Sequence, residues 1–481
     1  MDLKNLLKNL HYQSRNIPEN ISIFGISSDS RNVRKGDLFI AVQGFEFDGH
    51  DFIDAAIKSG AVAVIAEKYN KKDEIPVILV ENSRKVKPEI ARRFYGNPDQ
   101  AMDIIGITGT NGKTTVSFLL ESILQTEGKN TGLLNTLCYR WGSKEITAHR
   151  TTPDSIEIYK YFQDMKNQGV TSVVMEVSSH ALSLFRVEGL QFKAGIFTNI
   201  SRDHLEFHDT MDDYADAKSK LFTLLRSDGV GVINGDDKYA EKMIKAANRR
   251  VVTVGQNPDN DYHLKEIHLT GDYSSFILGS YHTQIKLKTL LKGHFNILNC
   301  AAAAVAGIET GCDVKAVKKG IERIKKIPGR MEYLEAEKGF LVIVDYAHTP
   351  GAVENILSEV KKITHNRIIA LFGCGGDRDK GKRPLMGKKA VTYADYTIVT
   401  TDNPRTEKPS SIIADIMKGI KKSNKVKVIE DRKQAIHYAL DIAEKDDSVV
   451  ILGKGHETYQ EIGNQRYPFD DKKIVKEYLG L

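Results

Sequence analysis

The stretch Ile104-Ile105-Gly106-Ile107-Thr108-Gly109-Thr110-Asn111-Gly112-Lys113-Thr114-Thr115 decides the fold of this chain. A short apolar run enters a glycine-rich turn, and an amphipathic segment over residues 116–127 follows and stops at Gly128. Strand, tight turn and helix start are the context of a phosphate loop. The glycines let backbone N–H groups curl round phosphates, the lysine reaches the β and γ oxygens, and a threonine hydroxyl meets Mg²⁺. The spacing departs from G-x-x-x-x-G-K-[ST], because Ile107 holds the first glycine position and Gly106 lies one residue earlier. The segment predicts ATP held by Gly109, Thr110, Asn111, Gly112, Lys113, Thr114 and Thr115. Such a loop alone serves a motor, a kinase, a switch or a ligase, so the rest of the chain must choose.

Working outward, strand-like runs fall at 172–177, 194–198 and 230–234, with a small-residue helix around 299–308. Upstream, apolar runs at 38–42, 61–66 and 77–80 precede a helix-like 84–95 and the breaker Gly96-Asn97-Pro98. Downstream the rhythm is most regular, with strands at 340–344, 367–372, 396–400, 426–429 and 448–452 separated by helix-length segments. That βαβα alternation predicts an α/β protein with mostly parallel, doubly wound sheets. Three domains are expected, over residues 1–100, 101–329 and 330–481, because 481 residues exceed one ordinary core.

Composition excludes more than it assigns. Hydrophobic residues at 41% and charged residues at 27% are a globular balance, and a net charge of +6 spread along the chain favours no polyanion. Cys138, Cys300, Cys312 and Cys374 form no C-x-x-C pair and no zinc spacing, which suits free thiols in a reducing compartment. No stretch approaches the roughly 20 apolar residues that span a bilayer, and the first residues lack an apolar signal core. A cytoplasmic location is expected, with no nucleic-acid partner and no membrane insertion.

Chemistry gathers where strands end. Glu176 ends one strand and is followed by Ser178-Ser179-His180; the next ends in Thr198-Asn199-Ile200-Ser201-Arg202-Asp203-His204-Leu205. Acids ending a strand beside a phosphate loop commonly hold Mg²⁺. In the last block four strands run into Asp345-Tyr346-Ala347-His348-Thr349-Pro350, Gly373-Cys374-Gly375-Gly376-Asp377-Arg378-Asp379-Lys380, Thr401-Asp402-Asn403-Pro404-Arg405 and Gly453-Lys454-Gly455-His456-Glu457. Carboxyl ends of parallel strands share one edge, so one cleft collects two arginines, two acids and an amide. That mixture suits a zwitterion, with Arg forks on carboxylates and acids on ammonium groups.

These motifs resemble the Mur ligases, in order and through all three blocks. The resemblance implies a three-domain architecture with a central P-loop ATPase-like sheet and a C-terminal Rossmann-like domain. It places Thr114, Glu176 and His204 around magnesium, with Lys113 catalytic. It also implies Lys218, in Tyr214-Ala215-Asp216-Ala217-Lys218, as a carbamylated lysine that holds a second Mg²⁺. Gly293-His294-Phe295-Asn296-Ile297-Leu298-Asn299 resembles the family's adenine-contacting segment and Pro328-Gly329-Arg330 its linker, which adds Asn296, Asn299 and Arg330 to the ATP site together with Asp345. Ser28-Asp29-Ser30-Arg31 and residues 45–47 are similar to the uridine-binding part, with Ser30 a contact. Thr151, Thr152, Ser178 and Arg186 match contacts to the muramoyl-dipeptide. Arg150 stands where some relatives have Asn, and Leu184 where some have Gln.

Asp402-Asn403-Pro404-Arg405 resembles the diaminopimelate-type form of the family's selectivity motif. It implies an amino-acid site of Arg378, Asp402, Asn403, Pro404, Arg405, Gly453 and Glu457. An ammonium side chain against Arg405 loses a charge-assisted pair, about 2–4 kcal/mol in a partly buried cleft. The implied substrates are ATP, UDP-MurNAc-L-Ala-D-Glu and meso-diaminopimelate, with lysine or lanthionine as alternatives, and a monomer is expected. A sister ligase, such as a folylpolyglutamate synthase or the ligase adding D-Ala-D-Ala, is a rival that the 402–405 and 453–457 motifs oppose. A nucleotide-gated switch is a rival of another kind, opposed by Lys113, Glu176, His204 and Lys218 together.

Overall fold

The computed structural model describes residues 1–481 except 15, 16, 19, 46, 70, 72–74, 271, 272, 282, 422 and 423. Three sheets follow one another along the chain. The first has four parallel strands, Gly25–Ser27, Asp37–Ile40, Ala63–Ala66 and Val77–Leu79, side by side in chain order. Helix Ser83–Phe94 closes this part; Asn82 caps it by accepting from Lys85 N–H, and Ile90 and Ala91 are fully buried. Gly96 and Asn97 then turn the chain through left-handed φ of 73° and 50°, the break expected at these residues.

The second sheet has eleven strands. Its middle is parallel, in spatial order Tyr262–Leu269, Arg250–Gly255, Leu225–Asn234, Phe192–Phe197, Asp103–Thr108, Ser172–Glu176 and Thr131–Leu134. Ser274–Ser280 and Gln284–Thr289 extend one side antiparallel, Cys138–Trp141 and Lys144–Thr147 the other. The inner strands read from sequence as apolar runs because both faces are covered. The flanking ones do not: Gln284–Thr289 alternates exposed and buried residues, with Gln284, Lys286 and Lys288 on the exposed face. Helix Lys113–Thr126 and the Ala-rich helix His294–Glu309 cover one face. Close approach is enforced nearby at Gly320, where a Cβ would stand 2.6 Å from Ile123 Cα.

The third sheet orders its strands Glu332–Glu335, Leu341–Asp345, Ser448–Leu452, Ile368–Phe372, Tyr396–Val399 and Val426–Val428. All are parallel except the first. The last strand in sequence inserts between two early ones, which creates a switch point at the carboxyl edge. A hairpin, Tyr459–Ile462 with Gln465–Pro468, lies at that edge and touches the loop at Arg405 through a bridge to Ile462. Arg432 and Asp471, both without exposed side-chain surface, pair at 2.7 Å, and Arg432 also donates to the Leu452 carbonyl at 3.0 Å. Two helices are thereby fixed to the end of the central strand of the sheet.

The second and third sheets meet through charges. Arg202 holds Asp379 at 3.0 Å, Lys382 holds Asp203 at 2.9 Å, and the Asp379 N–H donates to Glu206 at 3.1 Å. The Asp203–Lys382 pair is almost fully buried. All four cysteines are free and buried, and no helix among the described residues is long and apolar enough to cross a membrane.

Two consequences for stability are measurable. Asp471→Ala leaves the Arg432 guanidinium buried without its carboxylate and should cost about 3–5 kcal/mol in urea unfolding. The second concerns pH. His456 is pushed down to about 3, chiefly by burial. The unfolded chain takes up a proton below the ordinary 6.5 while this ring stays neutral. Stability is therefore full above that pH and falls as pH drops toward 3. Between about pH 7.5 and 5.5 the ring should contribute on the order of 1 kcal/mol of loss, which a His456→Gln variant should lack.

Candidate active site

The strand Asp103–Thr108 lies between Ser172–Glu176 and Phe192–Phe197, so three carboxyl ends open side by side. The loop that follows needs its glycines. Gly109 has φ +143° and a Cβ there would meet Thr198 Oγ1 at 1.9 Å; Gly112 has φ +89° and a Cβ would meet Asn299 Oδ1 at 2.3 Å. Helix Lys113–Thr126 begins at Gly112 with no side-chain cap, which leaves its first N–H groups for an anion.

Lys113 folds back over the loop, donating to the carbonyls of Gly109 at 3.0 Å and Thr110 at 2.9 Å. Burial lowers its pKa. Lys218 reaches the same Gly109 carbonyl at 2.9 Å, over the Tyr214 ring at 4.3 Å. It has no carboxylate partner among the described residues, and burial, then the charge of Lys113, depress its pKa well below the ordinary lysine value.

Glu176 is completely buried and joins several predicted residues. Its Oε1 accepts from Thr114 Oγ1 at 2.8 Å and Thr136 N–H at 3.1 Å; its Oε2 accepts from Thr136 Oγ1 at 2.9 Å. Thr136, which the sequence did not mark, also has its hydroxyl oxygen 3.2 Å from that of Thr151. Thr152 donates to the Glu176 carbonyl at 2.9 Å and receives the Ser178 N–H at 3.1 Å, and Arg186 donates to the Thr152 carbonyl at 3.1 Å. The four residues expected around the muramoyl-dipeptide are thus one connected group. Burial, then the neighbouring charge of Arg150, lower the pKa of Arg186, with Asp154 as a nearby anion opposing them. Ser30 opens the short turn Ser30–Asn32 and does not line the cleft. Phe45 and Phe47 are exposed, with Phe45 edge-on to Phe207 at 5.7 Å; Glu46 lies outside the described residues.

A cleft of about 470 Å³ unites most of the rest: the loop Thr110–Thr115, Thr151, Glu176, His204, Asn299, Arg330, Asp345, Arg378, Asp402, Asn403, Arg405, Gly453 and Glu457. Asn296 sits behind it, accepting from Asn299 at 3.1 Å. Arg330 spans the two sheets, donating to Thr114 Oγ1 at 3.0 Å and lying 4.8 Å over the Tyr346 ring. Its buried Nε has no partner among the described residues. Asp345 accepts from the N–H groups of Met331 at 2.6 Å and Ala347 at 2.7 Å, yet burial pushes it up to about 6.

The four polar loops of the third sheet converge as the parallel-strand argument requires. Asn403 donates to Glu457 at 2.8 Å, and fully buried Lys454 donates to Asn403 Oδ1 and Glu457 Oε2, each at 2.9 Å. Arg378 is exposed and has no carboxylate partner among the described residues, donating to the Asp377 carbonyl at 3.0 Å. Pro404 lies beside these groups without lining the cleft. Burial raises Glu457, while Asp402, buried beside Lys454 and Arg432, is held lower than usual.

For a metal, Thr114 and Glu176 offer the oxygens a hard divalent ion takes, which fits Mg²⁺. His204, at left-handed φ of +56°, forms a second cluster with His180 and Glu206 whose ligand atoms lie within 4.8 Å. His180 and Glu206, which could join His204 around an ion, were not marked as such in the sequence, although both belong to or adjoin quoted motifs. Lys218 is held at the Gly109 carbonyl and does not line the cleft.

Known proteins give the same picture. The Mur ligase family, catalytic domain matches residues 22–95, the Mur ligase middle domain residues 107–307, and the Mur ligase, glutamate ligase domain residues 329–455. A UDP-N-acetylmuramoyl-L-alanyl-D-glutamate--2,6-diaminopimelate ligase of Clostridium tetani (strain Massachusetts / E88) is 41% identical over 100% of this chain and 99% of its own. The protein of that name from Caldanaerobacter subterraneus subsp. tengcongensis is 43% identical over 100% and 99%. A solved structure of a ligase of the same name is 36% identical, covers 95% of each chain and superposes with a TM-score of 0.67. With that identity along its whole length and the three domain patterns in order, this chain belongs to the Mur ligase family.

Proposed function

We propose that this chain joins meso-diaminopimelate to UDP-MurNAc-L-Ala-D-Glu with ATP as the energy source. One observation carries the reading: a single cleft holds the phosphate loop, Arg330 and the Asp402–Arg405 and Gly453–Glu457 loops. The names of the full-length relatives support the same substrates. Residues 1–100 would hold the uridine end, 101–329 the ATP and muramoyl-dipeptide, and 330–481 the amino acid. A cytoplasmic monomer is the form in which these small substrates are met.

In the first step the γ-phosphoryl group passes from ATP to the γ-carboxylate of D-Glu, giving an acyl phosphate and ADP. The α-amine of diaminopimelate then attacks the carbonyl carbon, a C–N bond forms, the C–O bond to phosphate breaks, and the nitrogen loses a proton. Lys113 and the free N–H groups of its helix stabilise charge on the transferring group. Arg330 bridges the sheets at Thr114 and brings a second positive group to the phosphates. Thr136, Thr151 and Thr152 set the position of the acceptor carboxylate relative to Glu176. Arg405 pairs with the distal carboxylate, and Glu457 with Asp402 receives ammonium. Magnesium, when bound through Thr114 and Glu176 and at a second site near His204, neutralises charge on the phosphates. Burial depresses the pKa of Lys218, which favours the amine form that adds CO₂ with loss of a proton, and the resulting carbamate would serve that second site.

Two measurements test this. Phosphate release from ATP, with UDP-MurNAc-L-Ala-D-Glu and bicarbonate present, should require diaminopimelate and be weak with L-lysine. A preference for lanthionine would keep the Arg405 pairing and change the substrate, and no amino-acid dependence would overturn the assignment. Lys113→Ala or Glu176→Gln should lower kcat by about 10²–10³, with the fold unchanged by circular dichroism.

A further inference from the structure

Arg405 is the residue on which the proposed selectivity rests, and its orientation is imposed from outside the cleft. Its backbone adopts a left-handed φ of +49°, rare for a residue with a Cβ. Its N–H donates to the Glu461 carbonyl at 3.0 Å, and its own carbonyl receives the Gly463 N–H at 2.8 Å. The hairpin therefore grips the backbone of residue 405 twice, through Glu461 of its first strand and Gly463 of its turn. The side chain is gripped as well: Nε donates to Glu461 Oε2 at 2.9 Å, and Nη1 donates to the Gly376 carbonyl at 2.7 Å. No hydrogen bond to Nη2 is formed among the described residues.

Glu461 does not line the cleft, so it does not meet the amino acid there. It is tied to the site by its N–H, which donates to Asn403 Oδ1 at 3.0 Å, the same oxygen that receives Lys454. Its other carboxylate oxygen lies 3.9 Å from Arg466. One carboxylate thus holds the guanidinium at Nε, with a second cation, Arg466, near its other oxygen.

We infer that Glu461 is a positioning residue that sets amino-acid selectivity: it holds Arg405 by the Nε edge so that the remaining edge meets the distal carboxylate of the amino acid. This rests on the ligase reading above. A guanidinium has a fixed fork of donors, so holding one edge defines the direction of the other. A preorganised arginine loses little freedom on pairing with a carboxylate. A released Arg405 would lose its advantage for diaminopimelate, while lysine, which makes no such pair, would lose nothing.

Steady-state kinetics of the full chain, with diaminopimelate and L-lysine as alternative substrates, test the inference. Glu461→Ala should raise the KM for diaminopimelate about tenfold, with kcat and the KM values for ATP and UDP-MurNAc-L-Ala-D-Glu within about twofold. The preference for diaminopimelate over lysine should fall by a similar factor. Glu461→Gln keeps an oxygen for Nε and should recover most of the loss. In an Arg405→Ala background, Glu461→Ala should add no further change. A diaminopimelate KM within twofold of wild type, an equal rise in all three KM values, or an undiminished effect in the Arg405→Ala background would overturn it. Absence of amino-acid-dependent phosphate release by the wild-type chain is a separate result, which removes the ligase reading and this inference with it.

Discussion

Two lysines on one carbonyl oxygen, one half-buried and one buried, organise the molecule. Lys113 and Lys218 both reach the Gly109 carbonyl, within a shell where Glu176 and Asp203 are the anions that act on Lys113 and Asp203 the one that acts on Lys218. Burying a charge without a counterion is costly, so such a place accepts an anion or sheds a proton. Lys113 lines the cleft, and in the proposed reaction the phosphates of ATP would answer the first demand there. Lys218, deeper and under the repulsion of Lys113, has its pKa depressed well below the ordinary lysine value. The glycine turn exists to bring that carbonyl and the helix start into this position.

The surrounding architecture aligns edges. In the central sheet the phosphate loop, Glu176 and the segment after Phe197 emerge at adjacent carboxyl ends, and in the third sheet four loops do the same. Arg202, Asp203 and Glu206 then hold the third sheet over the second through Asp379 and Lys382. Asp379 is the neighbour of Arg378, and Asp203 the neighbour of His204. The contacts that join the two sheets are therefore adjacent in sequence to the residues assigned to the amino acid and to the metal.

What the sequence could reveal followed the range of the physics involved. The phosphate loop, the strand-end acids and the five parallel strands of the third sheet are local patterns, readable from spacing and continuous apolar runs. The alternating strands between residues 250 and 289 were not, because their half-polar surface looks like loop when no partner strand is known. Glu176 was legible as an acid at a strand end, but Thr136, its second hydroxyl partner, lies forty positions away with nothing in its neighbourhood to mark it. His180, Lys382, Lys454 and Glu461 acquire meaning only through partners from other elements. The expected role of Lys218 came from family resemblance alone, since a lysine on a charged helix is ordinarily solvated; in the structure the side chain is buried against the Gly109 carbonyl.

The left-handed backbone at Arg405 narrows what evolution can write there. A β-branched residue would be strained in that conformation whatever its side chain offered, whereas Asn, Asp or Gly would enter without backbone cost. A descendant of this enzyme that changed its amino acid would have to draw on that short vocabulary, or first rebuild the hairpin that keeps the turn. The fold has thus fixed, through one dihedral angle, which mutational routes to a new peptide chemistry are open.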